Sequence, residues 1–305
     1  MDVFKQVEPI IFTGTTCLPG SLQLKKLSTV NPGGKVFCLV RPTSDTRHIQ
    51  ELDLNINYLT GDSSDVSTWT KILPKHSPKT IVHIASIRHI PAILESLEIC
   101  QQTPHLIVIG TTGVYSKYNE FSATYKKIAA HLLEYRGSYC LLQPTMIYGS
   151  HRDKNLHKLI KFCDRYGFFP VFGSGDNLIQ PVHAEDLAQA ILTALQRPHI
   201  QGAYDLSGGT VVTFRDLLTL VGKLLGKPVR QISLPLNAGV WSATILENLL
   251  QERSPVRREQ ILRLQEDKAY PHDAAQRDLD FFPRTLEEGL RQEVELMRSL
   301  GMISS

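Results

Sequence analysis

Through its first half the chain alternates short apolar runs with longer segments in which apolar and polar residues mix. Six runs stand out: PIIFTG (9–14), KVFCLV (35–40), INYLTGD (56–62), TIVHIAS (80–86), HLIVIGTT (105–112) and SYCLLQP (138–144). Several are apolar throughout instead of at every second residue, the pattern of strands covered on both faces. Between them, DVSTWTKILPKH (65–76), IPAILESLEICQQ (90–102) and TYKKIAAHLLEYR (124–136) have helical length. Strand and helix in alternation imply right-handed crossovers and a parallel sheet with helices on both sides. The expected architecture is an α/β fold with a Rossmann-type, doubly wound parallel sheet.

Beyond about residue 150 the pattern turns mostly helical, in NLHKLIKFCDRY (155–166), AEDLAQAILTALQ (184–196) and TFRDLLTLVGKLLG (213–226). Thr213 and Gly226 bracket the last of these as N-cap and C-cap. Short strands are expected near GAYDLSG (202–208) and PVRQISL (228–234). With no repeat and no low-complexity linker, the division is a first domain over 1–150 and a smaller lobe over 151–305. That lobe is expected to pack against the first domain and not to form a separate module.

The 305 residues are 42% hydrophobic and 21% charged, with a net charge of +3, which is too mild and too evenly spread for a nucleic-acid surface. The basic residues Arg253, Arg257, Arg258 and Arg263 alternate with Glu259, Glu266 and Asp267, as on a solvated helical face. Five dispersed cysteines show no CxxC and no zinc spacing, so buried thiols of a reducing compartment are expected and no metal is. The start MDVFKQVEP lacks the order of a signal peptide, and no stretch approaches the ~20 apolar residues of a bilayer span. A cytoplasmic protein without membrane or nucleic-acid partners is the expectation.

The first apolar run ends in Thr13-Gly14-Thr15-Thr16-Cys17-Leu18-Pro19-Gly20. A strand that enters a helix through such a turn offers backbone N–H groups at a positive dipole end, which suits a pyrophosphate. Small or permissive residues fall at spacing three, at Gly14, Cys17 and Gly20. A P-loop is excluded because the glycines are six apart and Ser21 stands where lysine is required. The second run ends at Arg41 with no acidic residue at its tip, so NADP(H) is favoured over NAD(H). A cysteine at a helix N-terminus is also open to thiolate activation, the alternative role for Cys17.

TGTTCLPG resembles the TGxxGxxG turn of the extended or atypical short-chain dehydrogenase/reductases, the NAD-dependent epimerase/dehydratase group. TGDSSD (60–65), VHIAS (82–86), GTTGVY (110–115), LLQPTMIYG (141–149), QPVHAEDLAQA (180–190) and the tail RLQEDKAYPHDAAQRDLDFFPRTLEEGL also resemble that group's segments, in its order. The resemblance covers nearly the whole chain. It implies a cofactor site of Gly14, Thr15, Thr16, Cys17, Leu18, Gly20, Arg41, Asp62, Ile84, Ala85, Ser86, Lys127, Pro144, Met146 and Ile147. The substrate it implies is a small molecule, a nucleotide-sugar or a related alcohol or carbonyl. A homodimer through the segment 124–136 is one arrangement such a helix allows.

Catalysis in that group pairs a Ser/Thr with Tyr-x-x-x-Lys, the lysine lowering the tyrosine's pKa so that a phenolate serves as base. Carried over, the hydroxyl is Thr111 and the lysine Lys127, since KIAAHLL resembles the group's K-x-x-A-E-x-[LV]. The tyrosine position is then Ala123, which takes no proton, and Tyr125 is followed four residues later by Ala129. Tyr115, Tyr118 or a water held by Thr111 are the substitutes. Gln143 replaces the arginine of LRP; His83 and His183 are expected to organise local backbone, a catalytic role being the alternative, and Asp186 to be dipole-stabilised structure. The expected function is an NAD(P)-dependent epimerase, dehydratase or reductase with an atypical site; the alternative is a catalytically silent NADP(H)-binding regulator or assembly subunit.

Overall fold

The structure, a computed structural model, describes residues 3–304 apart from 238, 242, 243 and 245–257. The strands β1 (Ile10–Thr13), β2 (Lys35–Val40), β3 (Asn55–Thr60), β4 (Thr80–His83), β5 (His105–Ile109) and β6 (Tyr139–Pro144) fall on the six apolar runs. With a seventh strand, Gly202–Leu206, they form one sheet, ordered Gly202–Leu206, β6, β5, β4, β1, β2, β3. Every pairing is parallel. Successive residues of a strand point to opposite faces, so β1 sends Ile10 and Phe12 into one core and Ile11 into the other. The helices Val66–His76, Ile90–Ile99 and Ser122–Leu133 cover the Ile11 face, burying Trp69, Ile93 and Leu132. Burial on both sides is why these strands read as continuous apolar runs.

The runs at 80–86 and 105–112 extend past the ends of β4 and β5. Their last residues leave the sheet at its C-terminal edge, where doubly wound sheets place their ligand crevice. Asp65 caps the helix Val66–His76 through Ser67 N–H, 2.9 Å away. Thr213 and Asp216 form a capping box, and Gly226 closes that helix with φ +76°.

The boundary after residue 150 does not hold as a division of the core. The helix Ala184–Gln196 buries Leu187, Ile191 and Ala194 in the same core as Leu24 and Leu27 of the helix Leu18–Val30. The strand Gly202–Leu206 then joins the sheet beside β6, so 184–206 belongs with the first domain. Local periodicity identifies a helix and a strand but not the sheet they complete. The smaller lobe is built from the helices Leu156–Tyr166, Phe214–Leu225 and Leu286–Ser299 around a second core with Tyr148 and Val171. The strand Arg230–Leu234 pairs in parallel with Phe168–Phe172 at its edge. Arg253 and Arg257 lie outside the described residues, while Arg263 pairs with Glu259 at 3.5 Å. Among the described residues no helix is long and apolar enough to cross a membrane.

One carboxyl is sealed between the last helix and the loop after Tyr148. Glu293 is fully buried; one oxygen accepts the Gly149 N–H at 3.0 Å and the carboxyl also lies in hydrogen-bond contact with that of Asp153. Burial first, then the Asp153 neighbour, pushes its pKa well above the ordinary 4.5. The native state thus keeps a proton that the unfolded chain releases, and stability falls as pH rises from about 4.5 into the weakly alkaline range. Glu293→Gln keeps both an acceptor for Gly149 and a donor for Asp153. Thermal melting should find the variant no more stable than wild type near pH 4.5, and more stable by about 3 °C or more near pH 8. A constant difference across that range would mean that Glu293 does not hold the proton.

Candidate functional site

The C-terminal edge of the sheet opens into a cavity of about 870 Å³, at the upper end of ordinary small-molecule sites. Its floor is the turn after β1, where Gly14, Thr15, Thr16, Cys17, Leu18 and Pro19 line it at the N-terminus of the helix Leu18–Val30. Gly14 has φ +70°, and a Cβ there would lie 2.6 Å from the backbone nitrogen of Ala85. A Cβ on Gly20 would strike the Gly14 carbonyl oxygen. Gly20 therefore supports the turn from behind and does not line the cavity, a correction to its expected contact role. Proline in the first turn of the helix costs no hydrogen bond, and the first N–H groups have no intrahelical partner.

From the floor the cavity runs outward along the strand ends. Arg41 and Ser44 follow β2, Asp62 and Ser63 follow β3, and Ile84, Ala85 and Ser86 follow β4. Thr111 follows β5, and Pro144, Thr145, Met146 and Ile147 close the far wall. An elongated site across all six strand ends, with a bare turn at its middle, fits a dinucleotide. The lining includes the cations Arg41, Arg88, Arg152 and Lys154 but only two carboxylates, Asp62 and Asp153. Arg88, His89 and the Arg152–Asn155 segment have no sequence signal, because nothing local says that they face this space.

The proton-transfer groups are arranged otherwise than the sequence implies. Thr111 lines the cavity; its Oγ1 accepts Gly113 N–H at 3.0 Å, which leaves its own proton to donate outward. Lys127 is exposed and does not line the cavity, because the helix Ser122–Leu133 buries Ser122, Ile128 and Leu132 and turns positions 123 and 127 to solvent. Tyr125, about 200° around the helix from Lys127, faces the cavity instead. Among the described residues no group hydrogen-bonds to its hydroxyl, and Ala129 supplies no charge one turn on. Tyr115 also lies outside the cavity: its hydroxyl donates to Asp205 at 3.0 Å and accepts from Gln143 at 3.3 Å. Its ring stacks near Tyr270, with centroids 5.2 Å apart. Burial, then the Asp205 charge, raises its pKa, so it is a poorer base than a free phenol. Tyr118 is held by its backbone against Glu266, again away from the cavity.

The remaining candidates are structural in their geometry. His83 Nε2 donates to the Ser86 carbonyl at 2.9 Å, so Nδ1 accepts from Thr13 Oγ1 at 2.8 Å. Burial pushes its pKa down to about 4, and it stays neutral. His183 caps the helix Ala184–Gln196 through Glu185 N–H at 3.3 Å. Asp186 accepts the backbone N–H of Arg284 at 3.0 Å and its guanidinium besides, tying the tail to that helix. Cys17 opens onto the cavity, yet desolvation raises its thiol pKa against the lowering effects of Gly20 N–H, Lys154 and Arg152. That direction does not favour an activated thiolate, although the side chain is exposed. Among the described residues no group of His, Cys, Asp or Glu is placed to hold a metal ion.

Comparisons with known proteins agree with this geometry. The chain is similar over 97 residues, at 30% identity, to the NADH dehydrogenase [ubiquinone] 1 alpha subcomplex subunit 9, mitochondrial, of Arabidopsis thaliana. That match covers 31% of this chain and 24% of the relative, so it spans about a quarter of the relative's length. Among solved structures, the UDP-glucose 4-epimerase of Thermotoga maritima superposes with a TM-score of 0.71 at 17% identity, over 95% of this chain and 99% of that one. The dTDP-glucose 4,6-dehydratase of Bacillus anthracis, solved in complex with NAD, gives 0.71 at 17% identity, over 95% and 96%. These likenesses show the fold. The model of the NAD dependent epimerase/dehydratase family matches residues 10–206, about two thirds of the chain, and the protein belongs to that family.

Proposed function

We propose that the protein holds NADP(H) in this cleft and acts chiefly as a dinucleotide-binding protein, not as an epimerase or dehydratase. The observation that carries the reading is the cavity itself. Its floor is a turn in which Gly14 has no room for a side chain, and its walls carry four cations against two carboxylates. NADH brings two negative charges on its diphosphate, whereas NADPH adds a further phosphate at the 2′ position. The excess positive charge and Arg41 beyond β2 favour the more anionic ligand.

When bound, NADP(H) supplies or accepts a hydride. Epimerisation and dehydration begin by oxidising an alcohol, which requires a base beside the reacting carbon. Here Tyr115 is engaged by Asp205, Lys127 points to solvent, and Ala129 gives Tyr125 no adjacent ammonium. The residues for gripping the dinucleotide are together and those for removing a proton are not. The name of the Arabidopsis relative describes a subunit of a larger assembly, which accords with a held dinucleotide. A second reading, reduction of a carbonyl, is favoured by one fact: Thr111 and Tyr125 line the same cavity, and both can donate a proton.

Calorimetry should find NADPH bound about tenfold or more tighter than NADH, with Arg41→Ala bringing the two together. Gly14→Val should abolish uptake of both. Failure of the wild-type protein to take up either dinucleotide at millimolar concentration would remove the proposal.

Lys127→Ala and Tyr115→Phe should leave NADPH affinity within about twofold of wild type, since neither side chain reaches the cleft. Incubation of the protein with NADPH and a panel of carbonyls should show no oxidation above background. Turnover lost in Tyr125→Phe and kept in Lys127→Ala would establish the reductase reading in its place.

A further inference from the structure

The loop that follows Tyr148 crosses from the smaller lobe to the turn after β1. Arg152 lies at its tip. One Nη donates to the Thr16 carbonyl at 2.7 Å and lies 3.2 Å from His48 Nε2; the other donates to Ser21 Oγ at 3.2 Å. Burial, then the Arg152 charge, lowers the pKa of His48, so its neutral ring can accept from the guanidinium. These partners sit on the turn, the helix Leu18–Val30 and the segment after β2, so one side chain ties the floor to two neighbouring segments. A guanidinium has five N–H donors, and these contacts leave others for a ligand. Arg152 leans on the turn without closing it, since Gly14 to Pro19 still line the cavity.

The loop is fixed in this position from both sides. Arg152 N–H donates to Ser150 Oγ at 3.3 Å, and Asp153 N–H to the Ser150 carbonyl at 2.9 Å. Asp153 accepts Asn155 N–H at 2.6 Å and pairs with His157 at 3.2 Å, while Glu293 braces Gly149 and Asp153 from the last helix. A buried carboxyl, the bonds of Asp153 and a short turn therefore hold the loop that carries the guanidinium before any ligand arrives. Pre-set donors lose little freedom on binding. Lys154, next along, also lines the cavity and adds a second positive charge beside the guanidinium.

We infer that Arg152 is a diphosphate-binding residue that reaches from the smaller lobe onto the edge of the glycine turn and clamps the dinucleotide there. The inference rests on the dinucleotide reading above and adds to it a ligand that comes from outside the sheet. The chemistry recognised is the diphosphate common to NADPH and NADH, which separates Arg152 from Arg41 at the adenosine end. Because the clamp joins both lobes to the ligand, it acts on the dissociation rate.

The test is calorimetry and stopped-flow dissociation of NADPH and NADH from the wild-type protein, Arg152→Ala, Arg152→Lys and Arg41→Ala. Arg152→Ala should weaken both dinucleotides alike by about tenfold or more, mainly through faster dissociation. It should also flatten the dependence of affinity on salt concentration, and Arg152→Lys should recover part of the loss. Arg41→Ala should weaken NADPH alone. Arg152→Ala binding within twofold of wild type overturns the inference, as does a loss confined to NADPH. If Arg152→Ala lowers the melting temperature of the ligand-free protein, Arg152→Lys decides. It keeps the charge but loses the fork, and wild-type affinity with an unchanged salt slope in that variant counts against the clamp. Wild-type protein that takes up neither dinucleotide brings down the functional reading and the clamp together.

Discussion

The structure turns on how closely the backbone after β1 approaches the backbone after β4. Gly14 and Ala85 are so near that a single methyl group on the glycine would lie 2.6 Å from the Ala85 nitrogen. Gly20 makes the same demand from the other side, where the first helix packs onto the Gly14 carbonyl. The two contacts fix where the helix begins and aim its unpaired N–H groups at the cavity. Cys17 is tolerated between them because its side chain is exposed and opens onto the cavity. The central residue of the turn sets how near a phosphate can come, while the outer two decide whether the turn exists.

A strand buried on both faces has no alternation to lose, so the six apolar runs are readable as β1 to β6 and their parallel pairing follows from the crossovers between them. The turn is readable for the same reason: its glycines answer to local backbone geometry. The segment 184–206 is harder. Its helix and strand are visible, but their place against the first helix and β6 depends on contacts across the chain. Ile191 shares one core with Leu27, more than 150 residues away in sequence, and no local spacing announces that meeting. Sequence spacing marks an element without naming its neighbour.

The proton-transfer residues show that limit most sharply. Aligning KIAAHLL to a family pattern places Lys127 by its neighbours in sequence, yet a helix residue faces the cleft only if the helix is rotated to present it. Each residue turns the direction by about 100°, so an error of two positions reverses the face. Packing of Ser122, Ile128 and Leu132 sets the rotation, and it brings Tyr125 round to the cavity. Tyr115 is misplaced by the sequence for a different reason. Its partners Gln143 and Asp205 lie on β6 and on the seventh strand, which sequence pattern alone assigns to the other lobe.

Gripping a dinucleotide and moving a proton are physically separable tasks, which is how a chain can keep one without the other. The grip is made by backbone geometry, a helix terminus and several cations, each contributing part of a sum that tolerates change at one position. Base catalysis depends on one pair of side chains, and a phenol without its ammonium cannot share the duty with anything else. Gln143 and Asp205 go further, because they give Tyr115 a stable role as a hydrogen-bonded strut beside Tyr270. A tyrosine donating to a carboxylate is held in its protonated form, so these contacts oppose base catalysis by that hydroxyl.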